Sequence, residues 1–219
     1  SFIFILSLIS LLLLLQPDFS TFLIICLIAV GVYFLLETPI WHILLLFVIL
    51  IFLSLILVLI EPYRLKRLII LFNPEIDPLG MSYQLRQAII AIGAGGVFGS
   101  GIGLSKQKMG VLPQAINDAI FPVFAEEWGF LGCIFLFLLY LIFCQRAIKI
   151  GIEQKNLFSK AIAFGISIWI SSQAILNIGG MLNILPLAGV PLPFIGYGGS
   201  ATFSQIAALG LLLKISKEK

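Results

Sequence analysis

The sequence predicts an all-α polytopic membrane protein with about six transmembrane helices and one large extracellular loop. Three observations carry this. Of 219 residues, 61% are hydrophobic and 11% are charged, and the mean hydropathy is +1.17. A soluble domain carries about 25% charged residues, so this chain has too little polar surface to cover a water-soluble globule. The apolar residues fall in runs near the ~20 that a helix needs to cross hydrocarbon. The scarce charges gather between those runs. This excludes a cytosolic enzyme, a secreted disulfide scaffold and a disordered chain. The net charge of +3 is small, and no basic stripe is interleaved with aromatics, so nucleic acid is not a partner. Cys26, Cys133 and Cys144 lie far apart in apolar runs, with no metal-ligand spacing.

The elements follow in order, as one membrane domain over residues 1–219. Residues 1–15 are a short or cut-off span without a basic segment ahead of it. They read as the remainder of a span, and the sequence as a fragment. Gln16-Pro17-Asp18 breaks the run, because proline cannot continue a helix. Residues 19–36 form the second span, closed by Glu37-Thr38-Pro39. Residues 41–60 form the third, with Trp41 placed as interfacial aromatics are. The loop at 61–118 holds no uncharged run long enough to span. Within it, 64–72 reads as a basic amphipathic helix in the interface plane, and 84–98 as a short helix that dips in and returns. Residues 119–144, 161–185 and 201–213 complete the spans, with a basic connector at 145–160 and a Pro- and Gly-rich segment at 186–200.

Lysine and arginine set the orientation. The 145–160 connector carries four in 16 residues, the last six residues carry three, and the long loop carries six in 58. That density places connector and tail in the cytoplasm and the long loop outside. Arg64, Lys66 and Arg67 sit beside a span on the outer side, against the rule unless they hold an anion there.

Asp118 stands where the long loop meets the fourth span. It reads either as a helix cap or as a carboxylate facing a cavity, able to act as a general base towards a hydroxyl. At about 100° per residue, Glu126 falls about 80° from Asp118 and Glu127 about 180°, which makes Glu126 the cavity partner on a continuous helix. Arg64, Arg67, Lys106 and Lys108 read either as a headgroup-binding face or as a receptor for phosphate or pyrophosphate. The glycine-rich run from Gly93 to Gly103 lacks the GK[ST] of a nucleotide loop; its glycines suit a loop folded back onto the spans.

Several motifs together resemble the SEDS family of bacterial membrane proteins (FtsW, RodA and SpoVE). They are Gln16-Pro17-Asp18-Phe19-Ser20-Thr21; Asn73-Pro74-Glu75-Ile76-Asp77-Pro78-Leu79-Gly80 with Tyr83-Gln84; and the glycine run continued by Leu104-Ser105-Lys106-Gln107-Lys108. Leu112-Pro113 through Asp118 and Ala125-Glu126-Glu127-Trp128-Gly129 follow, then Pro191-Leu192-Pro193-Phe194-Ile195 with Tyr197-Gly198-Gly199-Ser200. The resemblance covers essentially the whole chain, as the C-terminal part of a ten-helix fold.

The resemblance implies an inverting glycosyltransferase, a peptidoglycan polymerase. Such an enzyme joins lipid II (an undecaprenyl-pyrophosphate disaccharide pentapeptide) into glycan strands at the outer face of the bacterial cytoplasmic membrane, for division or elongation. It implies a class B penicillin-binding protein as partner, besides membrane lipid. Asp118 matches the family's essential loop aspartate and becomes the candidate catalytic base. Lys106, Lys108, Arg64, Arg67, Glu126 and Gln84 become substrate-binding candidates. The leaving pyrophosphate needs charge stabilisation from basic groups or a divalent cation such as Mg or Mn. Two other classes stand beside this reading: a lipid II flippase or transporter, and a non-catalytic cell-wall scaffold.

Overall fold

The computed structural model describes residues 12, 18–36, 39, 41–42, 44–45, 47–52, 62–73, 76–77, 80–110, 112–115 and 117–218. Among them there are helices and no strand. Six helices have defined bounds: α1 (Phe19–Leu35), α2 (Pro62–Phe72), α3 (Met81–Ala94), α4 (Ile120–Glu153), α5 (Leu157–Met181) and α6 (Gly199–Lys217). The expected span at 1–15 lies outside the described residues, apart from Leu12, and so does 53–60. The described part of 41–52 is helical. Among the described residues, α4 and α5 are long and apolar enough to cross a membrane, and α1 is a shorter apolar helix.

Helix α5 is the central post: α4, α1, α6 and α3 all pack on it. Its middle is buried through Phe164, Ile170 and Ala174. Bulky apolar side chains of α4 such as Phe130, Phe135 and Phe137 face outward, as they do on a lipid-facing helix.

Asp18, the last residue of the expected break, is a helix start signal. Asp18 Oδ1 accepts the Thr21 N–H at 3.0 Å and Oδ2 the Thr21 hydroxyl at 2.6 Å, capping α1. The expected 145–160 connector is mostly helix: α4 continues to Glu153 and the turn is only 154–156. Charge ends a span but not a helix, since Arg, Lys and Glu are good helix formers and Lys149 meets Glu153 at 3.9 Å. Asn156 then caps α5 by accepting the Phe158 N–H at 2.9 Å.

Helix α4 is sharply kinked at Gly129 (φ 68°, ψ −169°). The glycine-rich loop after α3 fills the break. Ser100 N–H donates to Glu126 O at 2.9 Å and Gly101 N–H to Glu127 O at 3.1 Å, while Phe130 N–H reaches Gly96 O at 2.9 Å and Leu131 N–H reaches Val97 O at 3.2 Å. Backbone groups that a kink would leave bare are thus paired, as membrane depth requires. Backbone meets backbone so closely that a Cβ on Gly99 would stand 2.1 Å from Glu127 O.

The irregular segment between α5 and α6 is held by side chains. Gln173 Nε2 donates to Pro191 O at 2.9 Å, Tyr140 Oη to Pro193 O at 2.6 Å, and Phe194 N–H donates to Gln205 Oε1 at 2.8 Å. Ser20 on α1 donates to Ala188 O in the same segment. This segment, the start of α1 and the start of α4 share one end of the molecule. At the other end Gln154 Nε2 donates to Ile215 O at 2.9 Å, so the 154–156 turn and the end of α6 lie together.

Candidate active site

A polar cavity of about 360 Å³ opens at the end where α4 begins. Asp118 lines it with Arg67 and Tyr63 from α2 and with Gln84 from α3. Gln114 and Asn117 come from the turn before α4, and Leu187 and Gly189 from the segment after α5.

Asp118 is not the cap of α4. That position falls on Ala119, which makes no side-chain cap, and the helix begins at Ile120. Among the described residues nothing donates a hydrogen bond to the Asp118 carboxylate. Its backbone is fixed instead: Asn177 Nδ2 on α5 donates to Asp118 O at 2.7 Å and to Val190 O at 2.6 Å. One amide therefore ties the aspartate to the segment that walls the cavity. Half-burial pushes the Asp118 carboxyl above the usual aspartate range, and the Arg67 charge pulls it back.

Arg67 is positioned by its neighbours. Nη1 donates to Leu187 O at 2.9 Å, Nη2 donates to the Tyr63 hydroxyl at 2.5 Å, and the guanidinium lies 4.6 Å from the Tyr63 ring centroid. A Cβ placed on Gly189 would be 3.5 Å from Arg67 Nη2 and 3.6 Å from Asp118 Oδ2. The glycine thus sits between the two charged groups, and they face one space.

Of the residues singled out from sequence, the cavity brings together Asp118, Arg67 and Gln84. The others stand elsewhere. Glu126 is buried and accepts the Ser105 hydroxyl, the Lys106 N–H at 3.0 Å and the Gln107 N–H at 3.3 Å, so it organises the 105–108 turn. Its expected place beside Asp118 rested on a continuous helix, but α4 starts only at Ile120. Lys108 Nζ pairs with Glu127 Oε1 at 2.8 Å. The Lys106 side chain is exposed on the same turn. Arg64 is buried, its guanidinium 5.7 Å from the Phe19 ring centroid. Asp77, in the longest motif, joins α2 to α3: it pairs with Lys66 at 3.0 Å and accepts the Met81 N–H at 3.1 Å. Those bonds, Lys66 first, hold its carboxyl below the usual range.

Sequence reasoning missed Tyr63, Gln114, Asn117 and Asn177. Gln114 and Asn117 are neutral polar residues in a turn, and Tyr63 and Asn177 are single neutral polar residues on helices, so none carries a periodicity or a charge signal. The one available pointer was the cluster of amide side chains flanking Asp118.

As donors for a metal, the cavity offers one carboxylate among amides and a guanidinium. Among the described residues no group of three or more His, Cys, Asp or Glu could hold an ion. Mg²⁺ sites in proteins take one or two carboxylates plus substrate phosphates. Among the described residues the cavity supplies one carboxylate, so an ion bound here would depend on substrate phosphates for its remaining ligands.

Comparison with known proteins agrees with the fold. The FtsW/RodA/SpoVE model, described as cell cycle protein, matches residues 1–219. The probable peptidoglycan glycosyltransferase FtsW of Buchnera aphidicola subsp. Schizaphis graminum is 42% identical over 215 residues, covering 95% of this chain and 60% of that protein. The FtsW of Coxiella burnetii, of the same description, is 40% identical over 210 residues, covering 94% and 56%. A chain from a structure on the coordination of polymerization and crosslinking by a peptidoglycan synthase complex superimposes with TM-score 0.74 at 28% identity, covering 97% of this chain and 61% of that one. A mutant of the Thermus thermophilus rod shape determining protein RodA gives TM-score 0.62 at 25% identity, covering 96% and 53%. The chain spans little more than half the length of the relatives it matches.

Proposed function

The chain belongs to the FtsW/RodA/SpoVE family of cell cycle proteins, and from that premise we propose that the intact protein is a peptidoglycan glycosyltransferase. It polymerises lipid II at the outer face of the bacterial cytoplasmic membrane, beside a class B penicillin-binding protein. The relatives described as FtsW favour a role in division. The match to a chain of a polymerising and crosslinking complex supports the partner. The basic residues Arg146, Lys149, Lys155 and Lys160 sit towards the end away from Asp118, which supports an external cavity.

The observation that carries the proposal is that Asp118 caps no helix and shares a cavity with Arg67. In the donor the sugar is α-linked to pyrophosphate, and the product bond is β. A single displacement with inversion satisfies both. Asp118 takes the proton from the acceptor 4-hydroxyl, and the freed oxygen attacks the donor anomeric carbon. The bond to pyrophosphate breaks, and its electron pair leaves on the pyrophosphate oxygen. This is the role of the general base in inverting glycosidases, with a sugar hydroxyl in place of water. Arg67, held by Tyr63 and Leu187, meets the charge developing on the leaving group with paired donors.

Reconstitution tests the proposal. The intact protein in liposomes with its partner and labelled lipid II should yield glycan polymer. Movement of labelled lipid without polymer would make it a transporter. Neither activity would leave a scaffold.

A further inference from the structure

We infer that Gln114, with Asn117 and Gln84, reads the acetamido group of a sugar held over Asp118, and that Gln114 sets this specificity. The inference rests on the glycosyltransferase reading and names what its cavity selects. Gln114 is one of three non-glycine residues with positive φ among the described residues (φ 55°). That conformation is costly for a side chain with a Cβ, and strain kept in a cavity wall points to a task. Glycine or asparagine would hold the same turn more easily.

The residue is the hub of the turn that presents Asp118. Its carbonyl accepts the Asn117 N–H at 3.0 Å and the Ala119 N–H at 3.1 Å, and its Oε1 accepts Asn117 Nδ2 at 2.7 Å. Among the described residues, this leaves the Gln114 Nε2 donor and the Asn117 Oδ1 acceptor without a partner from the chain. The Gln84 carboxamide, on the same cavity, is likewise uncommitted. Arg67 and Asp118 suit ionic and proton-transfer work. A set of neutral amides, each offering N–H and C=O, suits a neutral group that offers the same pair. A secondary amide such as acetamido offers them on two separate atoms, whereas a hydroxyl offers both from one oxygen.

The test uses the intact protein in nanodiscs and two fluorescent probes: the lipid-linked disaccharide, and its analogue with hydroxyl in place of the acetamido group of the acceptor sugar. Binding of each is measured for wild type, Gln114→Gly and Gln114→Asn, with polymerisation assayed alongside. Gln114→Gly keeps the backbone and removes the amide; Gln114→Asn keeps both in shorter form. Wild type should prefer the acetamido probe. Gln114→Gly should lower that preference about 3- to 10-fold, the worth of one neutral hydrogen bond, and Gln114→Asn should retain part of it. Unchanged preference in Gln114→Gly overturns the inference. So does equal loss of both probes in both variants, which would make Gln114 a structural residue only. Selective binding by a wild type that makes no polymer would uphold the inference and sink the glycosyltransferase reading.

Discussion

The proposed role requires Asp118 as a carboxylate, and its surroundings oppose that form. Burial raises its proton affinity above the ordinary aspartate value, and Arg67 counters the rise. Catalysis should therefore increase with pH through the raised value. Arg67→Ala removes the countering charge, so the acid limb of the rate profile should move to higher pH. The plateau rate should also fall, by about 10²-fold if Arg67 stabilises the leaving group as other charge-stabilising donors do. A pH–rate profile of the variant checks both; an unmoved acid limb would separate Arg67 from Asp118. The stability sign runs the other way. A carboxyl whose folded pKa is raised adds stability below the ordinary aspartate value and loses it as pH rises through the folded value. Neutralising Asp118 should not weaken the fold at neutral pH. At this scale the sequence singled out Asp118, Arg67 and Gln84, through scarce charge and family motifs, and the three line one cavity. It misplaced Glu126, because nothing in the residue pattern shows that the chain turns at 117–119 before the helix begins. It passed over Asn177, whose amide faces inward from an apolar helix.

The element that follows directly on Asp118 is kinked α4, with the glycine-rich loop seated in the break. Gly99 and Gly93 predict opposite effects. A side chain at Gly99 meets Glu127 O and must also adopt φ 80°, so Gly99→Val should cost on the order of 2–4 kcal/mol. Gly93 lies in α3 with open space around its Cβ position, so Gly93→Ala should add roughly 0.5–1 kcal/mol through helix propensity. Thermal unfolding of the two variants in detergent checks the pair; a mild Gly99→Val would mean that the loop does not sit in the kink. The apolar runs gave the existence of α1, α4, α5 and α6, because burial in lipid imposes length and composition. Their ends were less legible, as the charged last turns of α4 show. The kink was invisible, since Gly129 is an ordinary helical glycine until a loop from thirty residues upstream supplies the missing backbone partners.

At the scale of the whole molecule, two ends divide the labour. One gathers Asp118, Arg67, the segment after α5 and the start of α1 around a polar cavity. The other gathers the 154–156 turn and the basic end of α6. The Lys and Arg density of the 145–160 connector and the tail put those two segments on one side, and the structure brings the 154–156 turn and the end of α6 together. Charge density could not foresee that α5 holds the division together, with Asn177, Gln173 and its packed face reaching most other elements. The central claim is that Asp118 removes the acceptor proton. It is tested most directly by Asp118→Asn in the intact protein, assayed for polymerisation of purified lipid II alongside lipid II binding and thermal unfolding. The account predicts no glycan polymer, with binding and unfolding temperature kept near wild type. Polymer made at the wild-type rate would contradict it.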